Sequence, residues 1–325
     1  MKITNAIFIF LICFLPFLFY WIVQTEDVRF FHKLNKQYDG ALTTAVQDSA
    51  VSLKINAEPE REFSYVSKKY SNVNKAASYE TFLKSLGNNF GIIDTNKMHS
   101  LQYYVPIFGV IGYEGYSSNR FERVDTSVLR VWQPEIPFTY TDASGNIFRF
   151  TLDEYVYVYD RVTNPGESEW IEGPRQVLAQ ESAIALLQDA DKFDRIRRNS
   201  IVSVIESSIN AEINHHNQVM SSMGMTYKFA VPLITDETWD NTIDDVGIVA
   251  FVQGYPIHRL DRVYNQYAFA GSRLIKNQAI YATVENGQRI FWEESCNFNY
   301  PKTEVYKSKA EAAKAGYSER SCKNS

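Results

Sequence analysis

The chain has 325 residues, of which 45% are hydrophobic and 22% charged, the ordinary balance of a protein that folds around a buried core. A net charge of -5, a pI near 5.7 and the lack of any long basic run exclude nucleic acid as the main partner, because phosphate binding needs a basic face. Aromatic content of 14%, with 21 Tyr and 21 Phe, suits strands and interfaces and predicts a β-rich body.

The first element is apolar. Residues 6–23 read AIFIFLICFLPFLFYWIV without a charge, and about 18 residues at 1.5 Å each give about 27 Å of helix, enough to cross a bilayer. Tyr20 and Trp21 stand where amphipathic rings favour headgroups, and Pro16 is tolerated in a membrane helix. No Ala-x-Ala site follows, so the segment reads as a retained anchor, residues 1–24, and Cys13 lies too deep for a lipoprotein signal. The short N-terminal tail and the cysteine usage place the N-terminus inside and the body outside the cytoplasm.

A stalk helix is expected over residues 25–60. Phe31, Leu34, Tyr38, Leu42, Ala45, Ser49 and Leu53 recur at steps of three and four, one stripe of a helix continuous with the anchor. That stripe packs either on its own domain or, at Phe31, Leu34, Tyr38 and Leu42, against neighbouring chains. A shorter helix follows over 79–89.

Residues 61–172 form a β-rich lobe. Short aromatic and β-branched runs such as SVLRVW, NIFRFT and YVYVYD alternate with turn residues, which predicts antiparallel strands, and Asp142 to Gly145 reads as a hairpin loop. Pro165, Gly166, Gly173 and Pro174 mark a boundary. A helix-plus-sheet lobe is expected over 173–290: one long helix or a helical pair from Gln176 to Met223 capped at Gly224, then strands up to a turn at Asn286 and Gly287. The fold class is therefore α+β, a membrane helix and stalk followed by an antiparallel β-rich body with one long helix.

No Walker loop, dinucleotide fingerprint, nucleophile elbow or zinc-protease spacing is present, and no cofactor or metal set is read. His215 and His216 diverge by about 100° on a helix, so a packing or solvent role outweighs chelation. Asp244 and Asp245, after Asp236, Glu237 and Asp240, do not match an EF-hand and read as a charged helical face. Glu293 and Glu294 beside Trp292 point to opposite strand faces and form no carboxylate pair. Phe251, Gln253, Gly254, Tyr255 and Pro256, with Tyr264, Asn265 and Tyr267 nearby, read as a recognition surface or as turn chemistry over core aromatics.

The tail, residues 291–325, holds Cys296 and Cys322, an even pair that in an oxidising compartment forms a disulfide and in a reducing one stays as two thiols. In VYKSKAEAAKAGYSERSC, Ser308 and Glu311 make a capping box and Gly316 ends a short helix. This segment resembles small cysteine-containing modules appended to bacterial surface proteins and nucleases, and the metal-binding segment of Ada-type proteins. Those modules usually carry further cysteines; with Cys296 and Cys322 alone, the resemblance implies a disulfide-clasped tail and no metal set.

The larger plan of membrane helix, stalk and β-rich head resembles bacterial pilin-like proteins of the Tad type. MKITNAIF lacks the Gly and nearby Glu of a prepilin peptidase site, which would make the chain an unprocessed accessory subunit. The resemblance implies a structural or assembly protein of a pilus, secretion or conjugation apparatus, with the lipid bilayer, other membrane proteins or further copies of the chain as partners. A surface-bound enzyme acting on envelope polymers, or a ligand-binding module, is the competing expectation.

Overall fold

The computed structural model describes residues 3–53, 73–125, 127–160, 170–230, 234, 239, 242–256, 266–273, 280–285, 287–293, 298, 300–306 and 309–320. The chain divides into two compact units, Met1–Leu274 and Ile275–Ser325.

Helix α1 runs unbroken over Ile3–Ser52, with Pro16 inside it. From Phe10 to Val23 its apolar side chains are exposed almost all round, and among the described residues this is the one helix long and apolar enough to span a membrane. From Leu34 onward the exposure becomes one-sided: Leu34, Tyr38, Ala41, Leu42, Ala45, Val46 and Leu53 are buried while Asp39, Gly40, Thr44 and Asp48 stay accessible. Helices α2 (Lys75–Asn89) and α3 (Thr95–Leu101) follow, α2 capped by the Asn74 side chain, which accepts from the Ala77 amide. α2 packs on α1 at small residues, where Ser49 Oγ donates to the Ser78 carbonyl at 2.8 Å.

Among the described residues nine strands form one antiparallel sheet: β1 (Ile107–Ile111), β2 (Gly115–Val124), β3 (Ser127–Trp132), β4 (Ile136–Thr141), β5 (Ile147–Phe150), β6 (Tyr155–Tyr159), β7 (Trp170–Pro174), β8 (Gly247–Gln253) and β9 (Tyr267–Arg273). Their order is β7-β6-β5-β4-β2-β1-β8-β9, with β3 also on β2. The expected loop between Asp142 and Gly145 joins β4 to β5, and the Asp142 carboxylate accepts from the Ser144 and Asn146 amides. The helical stretch of the second half is three pieces, α4 (Arg175–Glu181), α5 (Ala185–Gln188) and α6 (Ala190–Ser222), because the Ser182 and Asp189 backbones are extended.

Alternation along β2 places the layers. Ser117 accepts a hydrogen bond from Lys75, the first residue of α2, whereas its neighbour Ser118 donates to Glu212 of α6. Successive strand residues face opposite ways, so α2, with α1 beside it, covers one face of the sheet and α6 the other. Phe108, Phe82, Tyr116, Phe121, Ile209 and Val249 lie in the resulting core.

The expected boundary at 172/173 does not separate compact units. β8, from the second expected lobe, pairs over five residues with β1 from the first, so hydrogen bonds tie both into one sheet. The boundary lies instead at 274/275. The strand AIYATV, expected in the second lobe, is β10 (Ile280–Glu285), which pairs with β11 (Gln288–Glu293) and β12 (Glu304–Tyr306). Two-residue β13 (Ser318–Glu319) runs parallel to β11, and α7 (Lys309–Lys314) completes this second unit. Ile280, Ala282, Phe291, Ala312 and Tyr317 pack on one side of its sheet. On the other, Trp292 and Ile290 pack with Tyr281, Phe298 and Tyr300.

Candidate functional site

Where α1 joins its own core, side chains from distant parts of the chain form an aromatic collar. Tyr38, 1% exposed, donates its hydroxyl to the Tyr255 carbonyl. Phe90 lies 5.1 Å from the Tyr38 ring and stacks on Tyr255 at 5.6 Å and 5°, while Tyr104 meets Tyr255 edge-on at 5.3 Å. Tyr227 closes the ring over Gly254, which sits at φ +74°, and a Cβ there would come within 2.6 Å of the Tyr227 phenol. Both the backbone region and the close approach therefore require glycine. Burial, reinforced by the neighbouring Tyr227, Tyr104 and Tyr255 phenols, raises the Tyr38 hydroxyl far above the usual tyrosine range, and burial pushes Tyr227 up to about 12. Phenols held protonated in this way donate hydrogen bonds and position the helix. They supply no base.

The collar sorts the residues that sequence reading singled out. Tyr38 and Tyr255 are brought together. Leu34 at 6%, Tyr38 at 1% and Leu42 at 0% exposure are covered by the chain's own core, which corrects the expectation that they meet other chains: the apolar face of α1 is used up by α2, β8 and β9. Phe31 and Tyr267 remain exposed and stand outside the collar. Tyr264, Cys296 and Cys322 lie outside the described residues, as do Asp236, Glu237, Asp240 and Glu294. Phe90, Tyr104 and Tyr227 complete the collar without any local pattern that distinguishes them from other aromatics.

A second feature is an open groove of about 580 Å³ along α6, lined by Asp191, Asp194, Arg195, Arg198, Glu206 and Trp239 among others. Most of its charges are committed. Arg198 donates to Asp244 at 2.7 Å, Arg273 holds the other Asp244 oxygen at 2.5 Å, Asp194 pairs with Arg197 at 2.5 Å, and Glu206 accepts from the Trp239 indole at 3.1 Å. Partial burial alone would raise the Asp244 carboxyl, but the bonds and charge of Arg198 and Arg273 outweigh it and hold the group below the usual range.

The third is a polar seam between α6 and β2. Glu212, 5% exposed, accepts from Ser118 at 2.7 Å and faces Arg120 at 3.4 Å; Arg120 pairs with Glu122 at 2.6 Å, and Glu122 lies 3.5 Å from His215. The adjacent histidines do diverge: His215 Nε2 bonds the Phe121 carbonyl at 2.8 Å and His216 Nε2 the Tyr103 carbonyl at 3.0 Å. Arg130 turns inward from β3, donates to the Gln102, Val105 and Asn119 carbonyls, and lies 4.6 Å from the Phe121 ring and 5.2 Å from Tyr79. Sequence reading passed over Arg130 because the pattern SVLRVW marks a strand without showing that its one charge faces the core.

Among the described residues no group of three or more His, Cys, Asp or Glu is placed to hold a metal ion. Comparison with protein-family models, with curated proteins and with solved structures finds no match to this chain.

Proposed function

We propose that this chain is a single-pass membrane protein, its soluble part outside the cytoplasm, with a structural or assembly role in an envelope apparatus of the pilus, secretion or conjugation kind. The observation that carries the reading is the division of α1, apolar and exposed on nearly every side from Phe10 to Val23, then built into its own core from Leu34. A helix apolar all round needs hydrocarbon about it, and a one-sided helix needs a protein core. The paired charges of the groove and the protonated phenols of the collar favour assembly over catalysis. Placement outside the cytoplasm rests on the Cys296 and Cys322 pair.

Fractionation tests the anchor: the whole chain sediments with membranes and is released by detergent but not by high salt or carbonate, and deletion of residues 1–23 frees it. Recovery of the intact chain in the soluble fraction would overturn the reading. Sidedness is tested with Ser203→Cys, an exposed position on α6, which reacts in intact cells with a membrane-impermeant maleimide if the body is outside. For the assembly role, crosslinking from Phe31 in intact membranes captures a specific protein; capture of none would leave the anchor without that role. The groove supports a second reading, an enzyme on envelope polymers, because Asp191, Asp194 and Glu206 share it. Polymer cleavage abolished by Asp194→Asn with Glu206→Gln would favour that reading instead.

A further inference from the structure

The seam between α6 and β2 holds more buried polar atoms than its side-chain contacts satisfy. By alternation Tyr116, Ser118 and Arg120 all face α6. The Tyr116 ring lies back across β1, so that a Cβ on Gly109 would fall 2.0 Å from the phenol oxygen. Gly109 is the ladder partner of Ser118, and Ser118 donates to Glu212 Oε1 at 2.7 Å. Opposed positions on an antiparallel pair are about 5 Å apart at Cβ, so the phenol and the Glu212 carboxylate converge on one patch of the sheet. Tyr116 is 0% and Glu212 5% exposed, yet the Tyr116 hydroxyl and Glu212 Oε2 have no hydrogen-bond partner among the described residues. His216 Nδ1 and Arg130 Nε, in the same region, share that condition.

We propose that this seam is an internal binding site for water, with at least one ordered molecule held between the Tyr116 hydroxyl and Glu212 Oε2. Water fits the donor and acceptor needs of the pair, since it donates to the carboxylate oxygen and takes either role toward the phenol. An anion would meet the Glu212 charge, and a cation would meet Arg120 and Arg130. α6 is then joined to the sheet at this level through an exchangeable molecule as well as through side chains.

Radiolytic hydroxyl-radical labelling of the full-length protein in detergent tests the site, because radicals form from water bound beside a buried ring. Tyr116 is expected to oxidise several-fold faster than Tyr38, which is equally buried but spends its hydroxyl on the Tyr255 carbonyl. Equal rates would overturn the proposal. Glu212→Met removes the acceptor and fills the space, and is expected to bring Tyr116 down to the Tyr38 rate; an unchanged rate in a folded variant would trace the label to transient opening and also overturn it. A crystal structure provides a test that needs no variant: a water within about 3.2 Å of both oxygens supports the site, and a direct Tyr116–Glu212 bond or a dry contact refutes it.

Discussion

His216 is a buried side chain whose surroundings oppose its charge. Burial, and then the nearby Arg130 guanidinium, push its pKa down to about 3 from an ordinary 6.5, although the Tyr103 carbonyl works in the other direction. The folded state therefore refuses a proton that the unfolded state accepts. Stability is full above about pH 6.5 and falls by about 1.4 kcal/mol per pH unit below it, until the folded form protonates near pH 3. His216→Gln, which keeps a donor toward Tyr103, is expected to lose roughly 2 kcal/mol less than the native chain between pH 7 and pH 5. Urea titration at both pH values measures the difference, and identical slopes would show that His216 is not the source. At Gly254 the prediction is steric: Gly254→Ala adds a left-handed backbone penalty to overlap with Tyr227 and should cost about 2 kcal/mol, read as a lowered Tm.

Helix α1 was legible as an element and illegible as a surface. Its apolar run and its three-and-four stripe predict one continuous helix, because periodicity reports which face is apolar. Periodicity does not report what covers that face, and Leu34, Tyr38 and Leu42 turned out to meet α2 and the sheet. Truncation separates the two ends of the stripe. Leu42→Ala opens a cavity in the core and should cost about 2–5 kcal/mol, whereas Phe31→Ala should change stability by less than about 0.5 kcal/mol. Thermal unfolding of both variants in the same detergent checks the contrast, and equal losses would mean that Phe31 is covered as well. The collar and the seam were less legible still. Tyr38 and Tyr255 are 217 positions apart, and Ser118 and Glu212 are 94 apart. The packing of α1 beside β8 and of α6 on β2 brings these residues together, and no local spacing encodes that packing.

Two compact units make the whole molecule a two-part unfolding problem. The smaller has a thin core, and a sheet of four short strands needs an additional tie. The described neighbours of its cysteines stand together: the Arg320 guanidinium lies 5.8 Å from the Phe298 ring and 5.3 Å from Tyr300, two positions from Cys322 and from Cys296 respectively for Arg320 and Phe298. A Cys296–Cys322 bond is accordingly expected, and it should make only the smaller unit's transition sensitive to reductant, by about 2–4 kcal/mol. Calorimetry with and without reductant tests this, together with peptide mapping of the unreduced protein. Two free thiols, or a reductant effect on the larger transition alone, would refute it.

The uninterrupted backbone of α1 also settles how load passes through the molecule. About 46 Å of helix at 1.5 Å per residue, residues 3–33, joins the N-terminal end to the core of the larger unit with no coil between. A domain on a coil tether can swivel and sweep a wide volume above the bilayer. Here a tug on the larger unit is borne axially by the hydrogen-bond ladder of one helix, and a twist applied to it turns the N-terminal end as well. Under the proposed anchoring its height and tilt above the lipid are set by that helix, so encounters with neighbours depend on drift within the plane of the membrane.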